Sequence, residues 1–303
     1  MNCRQFAVIL IAAAGFGAVQ PAGAVLRVLA CEPEWAALTQ ELAGDKATVY
    51  SATTARQDPH VIQARPSLIS AARNADLVVC TGAELETGWL PILLRQSGNA
   101  KIQPGTPGYF EAADFVQKLE VPARLDRSAG DVHPGGNPHI QTDPRNIARV
   151  ATALAGRLAE IDRENAAAYQ ARYADFSKHW AAATENWQKK AAPLRGVPVV
   201  VQHKAFPYLE QWLGLVQVAA LEPKPGVEPS SAYLSEVLTL LQKQPARMVL
   251  RAAYNDGRPS EWVAERAHIP VVVLPFTVGG DEQAKDLFSL FDDTVARLLE
   301  GLK

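Results

Sequence analysis

The sequence predicts an α/β protein of two lobes, each built on a parallel sheet, with a long helical segment between them. Three observations carry that reading. Short apolar, strand-like runs alternate with amphipathic helical stretches from Val25 to about Gln96. From Pro144 to about Ala192 the pattern turns helical with hardly a breaker. From Val197 to the C-terminus the strand–helix rhythm returns. Helices placed between short apolar strands indicate βα units around a parallel sheet.

In order, the first strand runs from Val25 to Ala30, and an amphipathic helix from Glu34 to Leu42 is stopped by Gly44. Ala47 to Ser51 is strand-like, and a loop then carries Asp58-Pro59-His60. A helix opens after Pro66 and covers Ser67 to Arg73; Leu77 to Cys80 is the next strand, and Leu85 to Gln96 reads as helical despite Pro91. Residues 98 to 138 are rich in Gly and Pro, hence irregular. In the long helical segment, Ile147, Val150, Leu154, Leu158 and Ile161 recur at helical spacing, and Tyr169, Tyr173, Phe176 and Trp180 continue the stripe. Asp162 to Asn165 is where it divides in two. These aromatics read as core.

The second half gives strands at Val197 to Gln202, Leu215 to Leu221, Met248 to Ala252 and Val271 to Leu274. Helices cover Phe206 to Leu213, Ser230 to Gln242, Pro259 to Ala267 and Leu287 to Leu302. The expected organisation is a signal peptide at 1–24, a first lobe at 25–163, a linking helix at 164–192 and a second lobe at 193–303.

The first 24 residues read as a targeting segment. Arg4 supplies a positive start, Phe6 to Ala14 a short apolar run, and Ala22-Gly23-Ala24 a small-residue cleavage signal, which implies an exported, periplasmic chain starting at Val25. Leu29-Ala30-Cys31 looks like a lipidation box but lies past that signal and inside a strand pattern. With 48% apolar residues, 20% charged residues and a net charge of −2, disorder is excluded and no basic excess points to nucleic acid.

After cleavage two cysteines remain, Cys31 and Cys80, each closing an apolar run. If the two strands are neighbours, their ends lie side by side and a disulfide is geometrically possible, as an oxidising compartment permits. Two buried free thiols are the alternative.

The residues with most chemical content are histidines in stiff loops. Asp131 to Pro144 holds His133 and His139 among glycines and prolines, and Asp143-Pro144 reads as a helix N-cap followed by proline in the first turn. Asp58-Pro59-His60 is a second Pro-His, and His203 ends a strand-like run. Proline fixes its own φ and pushes the preceding residue toward extended geometry, so each imidazole stands on a rigid, non-helical support.

Four motifs in order carry a family resemblance: Asp58-Pro59-His60 with Arg65-Pro66-Ser67, Asn137-Pro138-His139 with Asp143-Pro144, Val201 to Leu209 around His203, and Glu228-Pro229-Ser230. Together they resemble the zinc- and manganese-specific substrate-binding proteins of ABC importers (cluster A-I, the zinc-uptake or TroA-like class) across the whole mature chain. The resemblance implies two α/β lobes joined by a long rigid helix, with metal bound in the cleft between them. His60 and His139 would come from the first lobe and His203 from the second. The partner it implies is an ABC-transporter membrane permease, with a periplasmic zinc metallochaperone as a further candidate, and the chain is expected to be a monomer.

Three neutral imidazoles with one carboxylate suit Zn2+ in tetrahedral geometry, whereas manganese prefers more oxygen ligands. Members that bind manganese generally carry glutamate where this chain has His203, which favours zinc. The carboxylate candidates are Glu228, Asp281 and Asp286. Asp281 is preferred, because it follows Gly279-Gly280 in the loop leaving the last strand of the second lobe, where ligands of open α/β sheets gather. Asp286 sits where an N-cap is needed, and Glu228 is a candidate for orienting a ligating histidine.

Zinc-uptake members often carry a long histidine-rich insert; here only His133 stands near His139, either as a transient zinc-capturing ligand or as an exposed loop residue. His179 and His268 have no motif around them and read as structural. A zinc hydrolase with Glu228 as general base is the rival from another class, but no His-Glu-x-x-His helix is present. An adhesin of the same fold is a second rival. The reading is a metal-binding protein and not an enzyme.

Overall fold

The computed structural model describes residues 25–122, 133–224 and 226–303. The expected signal peptide and its cleavage point after Ala24 lie outside the described residues. Among them, no helix is long and apolar enough to cross a membrane.

In the first lobe, β1 (Leu26–Ala30), β2 (Ala47–Ser51), β3 (Leu77–Cys80) and β4 (Tyr109–Glu111) form one parallel sheet in the order β2-β1-β3-β4. Its helices are α1 (Pro33–Ala43), α2 (Pro66–Asn74), α3 (Leu90–Ser97) and α4 (Pro144–Ile161). The second lobe repeats the order as β6-β5-β7-β8. Those strands are β5 (Pro198–Val201), β6 (Val216–Ala220), β7 (Met248–Ala252) and β8 (Val271–Leu274). With them go α6 (Pro207–Leu213), α7 (Ser231–Lys243), α8 (Arg258–Ala267) and α9 (Leu287–Glu300). Strand β3 is buried on both faces, at all four positions of Leu77–Cys80, which is why it reads as a continuous apolar run, whereas the edge strands β2 and β6 keep exposed positions.

The long helical segment divides where expected. A 3-10 turn at Arg163–Asn165 separates α4 from α5 (Ala166–Lys190), and the Tyr169 hydroxyl donates to Asp162 Oδ2 at 2.7 Å to fix the break. Helix α5 then joins the lobes. Its buried side chains Tyr169, Phe176, Trp180 and Trp187 share one face. Trp180 donates from its indole to the Pro144 carbonyl at 2.8 Å, in the first lobe. Trp187, two turns on, donates to Asp292 on α9 at 2.9 Å. Rings of Phe288 and Phe291 on α9 pack against both tryptophans at 4.9–6.4 Å between centroids. One apolar core runs through residues of both lobes and this helix. A shared core of this kind holds the two lobes in fixed relation more firmly than a polar interdomain contact would.

Two local features depart from the sequence expectation. Helix α3 begins at Leu90, not at 85, with Pro91 in its first turn; a proline there replaces an N–H that has no intrahelical partner, so it starts the helix where it was read as interrupting one. The stretch 98–138 contains a strand, β4, paired with β3 with Val79 opposite Phe110. It is only three residues long and lies among Gly105, Pro107 and Gly108, which masks it. Gly108 is required there, since a Cβ would stand 2.3 Å from the Lys101 carbonyl oxygen.

Cys31 and Cys80 extend the neighbouring strands β1 and β3, whose register pairs Ala30 with Val79. They are joined by a disulfide with their Cα atoms 4.7 Å apart. Cys31 is engaged in the bond and fully buried in the core, which agrees with rejecting Leu29-Ala30-Cys31 as a lipidation site.

Candidate metal centre

All three motif histidines sit beyond the C-terminal ends of strands, where open parallel sheets leave polar backbone and loop side chains to meet a ligand. His60 lies in the loop between β2 and α2, His139 in the stretch leading into α4, and His203 directly after β5. The fold brings them together. Ring centroids are 5.5 Å apart for His60 and His139, 5.8 Å for His60 and His203, and 5.4 Å for His139 and His203. Each offers a nitrogen, and these nitrogens lie within 4.8 Å of one another.

The two Pro-His motifs use one local device. Asp58 Oδ1 accepts from the backbone N–H of His60 at 3.0 Å and lies 2.7 Å from its Nδ1. Asn137 Oδ1 does the same for His139, at 3.0 Å and 2.8 Å. The intervening proline stiffens the backbone, and the side chain two residues back holds both the main chain and the ring. An ionised carboxylate can only accept, so it places the His60 proton on Nδ1 and leaves Nε2 with its lone pair free. Trp89 clamps the first loop, its indole donating to the Pro59 carbonyl at 2.9 Å.

His203 has the equivalent partner from a distant part of the chain. Glu222, two residues past β6, places Oε2 2.7 Å from His203 Nδ1 and accepts the Gly226 N–H with the same oxygen at 2.8 Å. Glu222 was missed by sequence reasoning, which considered Glu228 for this role; Glu228 is exposed. A signal for it exists in hindsight, because Glu222 ends an apolar run beside the strand that ends at His203.

The result is a set of imidazoles fixed through Nδ1 with Nε2 directed inward. His60 Nε2 and His139 Nε2 are buried without a hydrogen-bond partner, which is costly unless something accepts their lone pairs. Burial, reinforced by His203, His60 and His133 nearby, holds the His139 pKa well below its ordinary value, so the ring stays neutral and able to bind a cation. Behind the rings, Asp58 and Glu222 supply negative charge. A divalent ion fits this donor set: converging neutral nitrogens, oriented by carboxylates and an amide, on a site whose walls are largely buried. Phe276, at a positive φ of 71°, forms part of the wall with its ring 5.6 Å from His139.

The two lobes are tied at this point. Asn137 Nδ2 donates to the Lys204 carbonyl, beside His203, at 2.8 Å, and to Glu120 at 3.0 Å. The Tyr208 hydroxyl donates to the Asn137 carbonyl at 2.7 Å and accepts the Leu119 N–H at 3.0 Å. Across the cleft the Thr277 hydroxyl donates to the buried Glu34 carboxylate.

Asp281, expected as the fourth ligand, lies outside the histidine group. Its Oδ1 accepts the N–H groups of Gln283 and Ala284 at 2.7 and 3.0 Å, and its Oδ2 pairs with Arg297 on α9. Burial raises its pKa, but those N–H groups with Asp293 and Arg297 outweigh it and hold the carboxyl below its ordinary value. The Gly279-Gly280 pair makes a tight return: a Cβ on Gly280 would stand 1.9 Å from the Pro275 oxygen. That return presents Phe276 and Thr277 to the cleft and turns Asp281 toward α9.

Asp286 caps α9, accepting the Ser289 N–H at 2.7 Å in a capping box. His179 is exposed on α5 beside Asp175, and His268 ends α8 in the left-handed conformation. His133 does approach the site, with its ring centroid 5.4 Å from that of His60. Burial, then the neighbouring His60 and His203, push its pKa down to about 4.

The comparisons with known proteins agree with this geometry. Among curated relatives, the manganese ABC transporter substrate-binding lipoprotein PsaA of Streptococcus pneumoniae is 24% identical over 301 residues, covering 98% of this chain and 95% of that protein. The high-affinity zinc uptake system protein ZnuA of Paracoccus denitrificans is 26% identical over 299 residues, covering 88% of each. A crystal structure of ZnuA superposes with a TM-score of 0.76 at 22% identity, covering 92% of this chain and all of that one, and so shares its fold. The model of the family described as ZnuA, zinc-uptake complex component A, periplasmic, matches residues 28–301. The chain therefore belongs to that family, the substrate-binding proteins of metal ABC importers, which are not enzymes.

Proposed function

We propose that this protein captures Zn2+ in the periplasm through His60, His139 and His203 and delivers it to the membrane permease of an ABC importer. The observation that carries the reading is the pair of buried, unpartnered Nε2 atoms on His60 and His139, converging with His203 on one point. Relatives divide between zinc and manganese, so the choice of metal rests on the donor atoms. A nitrogen-rich set suits zinc, while manganese favours carboxylate, carbonyl and water. The chain works as an exported monomer cleaved after Ala24, with a periplasmic zinc metallochaperone as a further partner.

Calorimetric titration of the mature chain with zinc tests this. His60→Ala, His139→Ala and His203→Ala each weaken binding by about tenfold or more, since losing a ligand costs at least as much as losing its orienting partner. His179→Ala leaves it unchanged. Equal losses in all four variants, or none in the first three, would contradict the assignment.

A further inference from the structure

We infer that a second cation site, made of oxygen atoms alone and suited to Ca2+, lies at the lobe boundary on Glu32, Glu34 and Gln141. It shares no residue with the histidine centre and does not rest on the zinc reading. Glu32 follows the disulfide-bonded Cys31 beyond β1, Glu34 lies in the first turn of α1, and Glu86 approaches from the loop after β3. All three carboxylates are buried, at 2–3% exposure. The Thr81 N–H is shared between Glu86 Oε1 at 2.7 Å and Glu32 Oε2 at 3.3 Å, and the Thr81 hydroxyl donates to that same Glu32 oxygen at 3.0 Å. Glu86 therefore meets Glu32 on its Oε2 side, and Glu32 Oε1 is buried with no partner.

A second residue shows the same feature independently. Gln141, 3% exposed, also buries its Oε1 without a partner. Buried acceptors left without a donor are costly, and a structure keeps them where something else satisfies them. Glu32 and Gln141 line one small cavity of about 10 Å3, whose walls include Glu34 and Thr53 from the first lobe and Phe276 and Thr277 from the second. The Thr277 hydroxyl donates to Glu34 across the boundary and keeps lone pairs of its own for a cation.

Charge and size select the ion. Burial, then the charges of Glu86 and Glu34, hold the Glu32 carboxyl well above its ordinary range, and burial pushes those of Glu34 and Glu86 up to about 7. Among the described residues, none of the three pairs with a lysine or arginine. Buried carboxylates are otherwise paired or bound to a metal. The polar atoms offered to the cavity are carboxylate, amide and hydroxyl oxygens, which suit a hard cation and not zinc. Glu32 and Glu34 together match a divalent charge, where a monovalent ion would leave one of them uncompensated. The cavity admits about one water-sized sphere, so it has no room for the waters that Mg2+ retains. Ca2+ accepts irregular sets of protein oxygens at about 2.3–2.6 Å.

Equilibrium dialysis of the zinc-loaded mature chain against radioactive calcium tests the site with the histidine centre already filled. Wild type is expected to bind one calcium ion per chain, and added calcium should raise its Tm. Glu32→Gln, Glu34→Gln and Gln141→Leu should each lower calcium affinity by about tenfold or more, since losing a ligand costs at least as much as losing its orienting partner. His60→Ala should bind calcium as wild type does. Circular dichroism confirms that the variants are folded, and either glutamate variant suffices. No saturable calcium binding to wild type, or undiminished binding in both glutamate variants, would overturn the proposal while leaving the zinc reading intact. Loss of calcium in His60→Ala would place the ion at the histidines and overturn it as well.

Discussion

His203 Nδ1 lies 2.7 Å from Glu222 Oε2, and that oxygen is held in turn by the Gly226 N–H. A carboxylate behind a ligating imidazole fixes the tautomer and raises the basicity of the opposite nitrogen. Removing such a partner typically lowers metal affinity by about 10–100-fold. Glu222→Gln, which keeps the shape and removes the charge, is expected to fall in that range in a chelator competition. Wild-type affinity in the variant would show that Glu222 does not orient the ring.

Two carboxylates near the C-terminus separate structural from ligand roles. Asp286 caps α9, and Asp286→Ala should cost about 0.5–2 kcal/mol of stability. Asp281→Ala abandons two N–H groups and Arg297, a loss of about 1–3 kcal/mol. Thermal melts of the metal-free proteins measure both. A drop in zinc affinity without a drop in Tm for Asp281→Ala would reverse its role.

The loops around His60 and Asp281 differ in how much of their geometry was legible in the sequence. The Asx-Pro-His motifs are local, so His60 and His139 stood out in the sequence on their stiff proline supports, while the hold of Asp58 and Asn137 on the two rings emerged from the structure. Strand β3 was likewise legible end to end, because burial on both faces leaves an uninterrupted apolar run. The contributions of Glu222 and Phe276 were not. They depend on where the chain returns after a strand or on which side of a glycine turn a side chain emerges, and neither follows from residue order. Gly279-Gly280 did signal a sharp turn, but its direction is decided by Gly280 packing onto Pro275.

Glu34 links pH to stability through its burial, which the interlobe hydrogen bond from Thr277 offsets only in part. Burial pushes its carboxyl up to about 7 from an ordinary 4.5. The folded value is the higher one, so the folded chain holds a proton that the unfolded chain releases. This contribution is fully present at low pH and is lost as pH rises from roughly 4.5 through about 7. Glu34→Gln stays neutral throughout and can still accept from Thr277. Its stability relative to wild type should therefore rise between about pH 5 and pH 8, by up to about 3 kcal/mol. Denaturant titrations at both pH values check the sign; a difference independent of pH would refute a buried, titrating Glu34.

The disulfide closes a sequence separation of 49 residues between adjacent strands. A cross-link of that span is worth about 2–4 kcal/mol, through the restricted unfolded chain. The double variant Cys31→Ser with Cys80→Ser should lose stability of that order yet bind zinc normally at low temperature, because neither cysteine touches the histidines. Alkylation should label neither cysteine of the native exported protein until reductant is added. Ready labelling would show the pair to be reduced.

The zinc proposed here rests on the nitrogen donors, and competition between metals tests it most directly. Metal-free mature protein is equilibrated with equal, excess concentrations of zinc and manganese, desalted and analysed for both elements. The account predicts one zinc per chain and negligible manganese, with the zinc lost when His60, His139 and His203 are replaced together. Manganese bound in preference to zinc would contradict it.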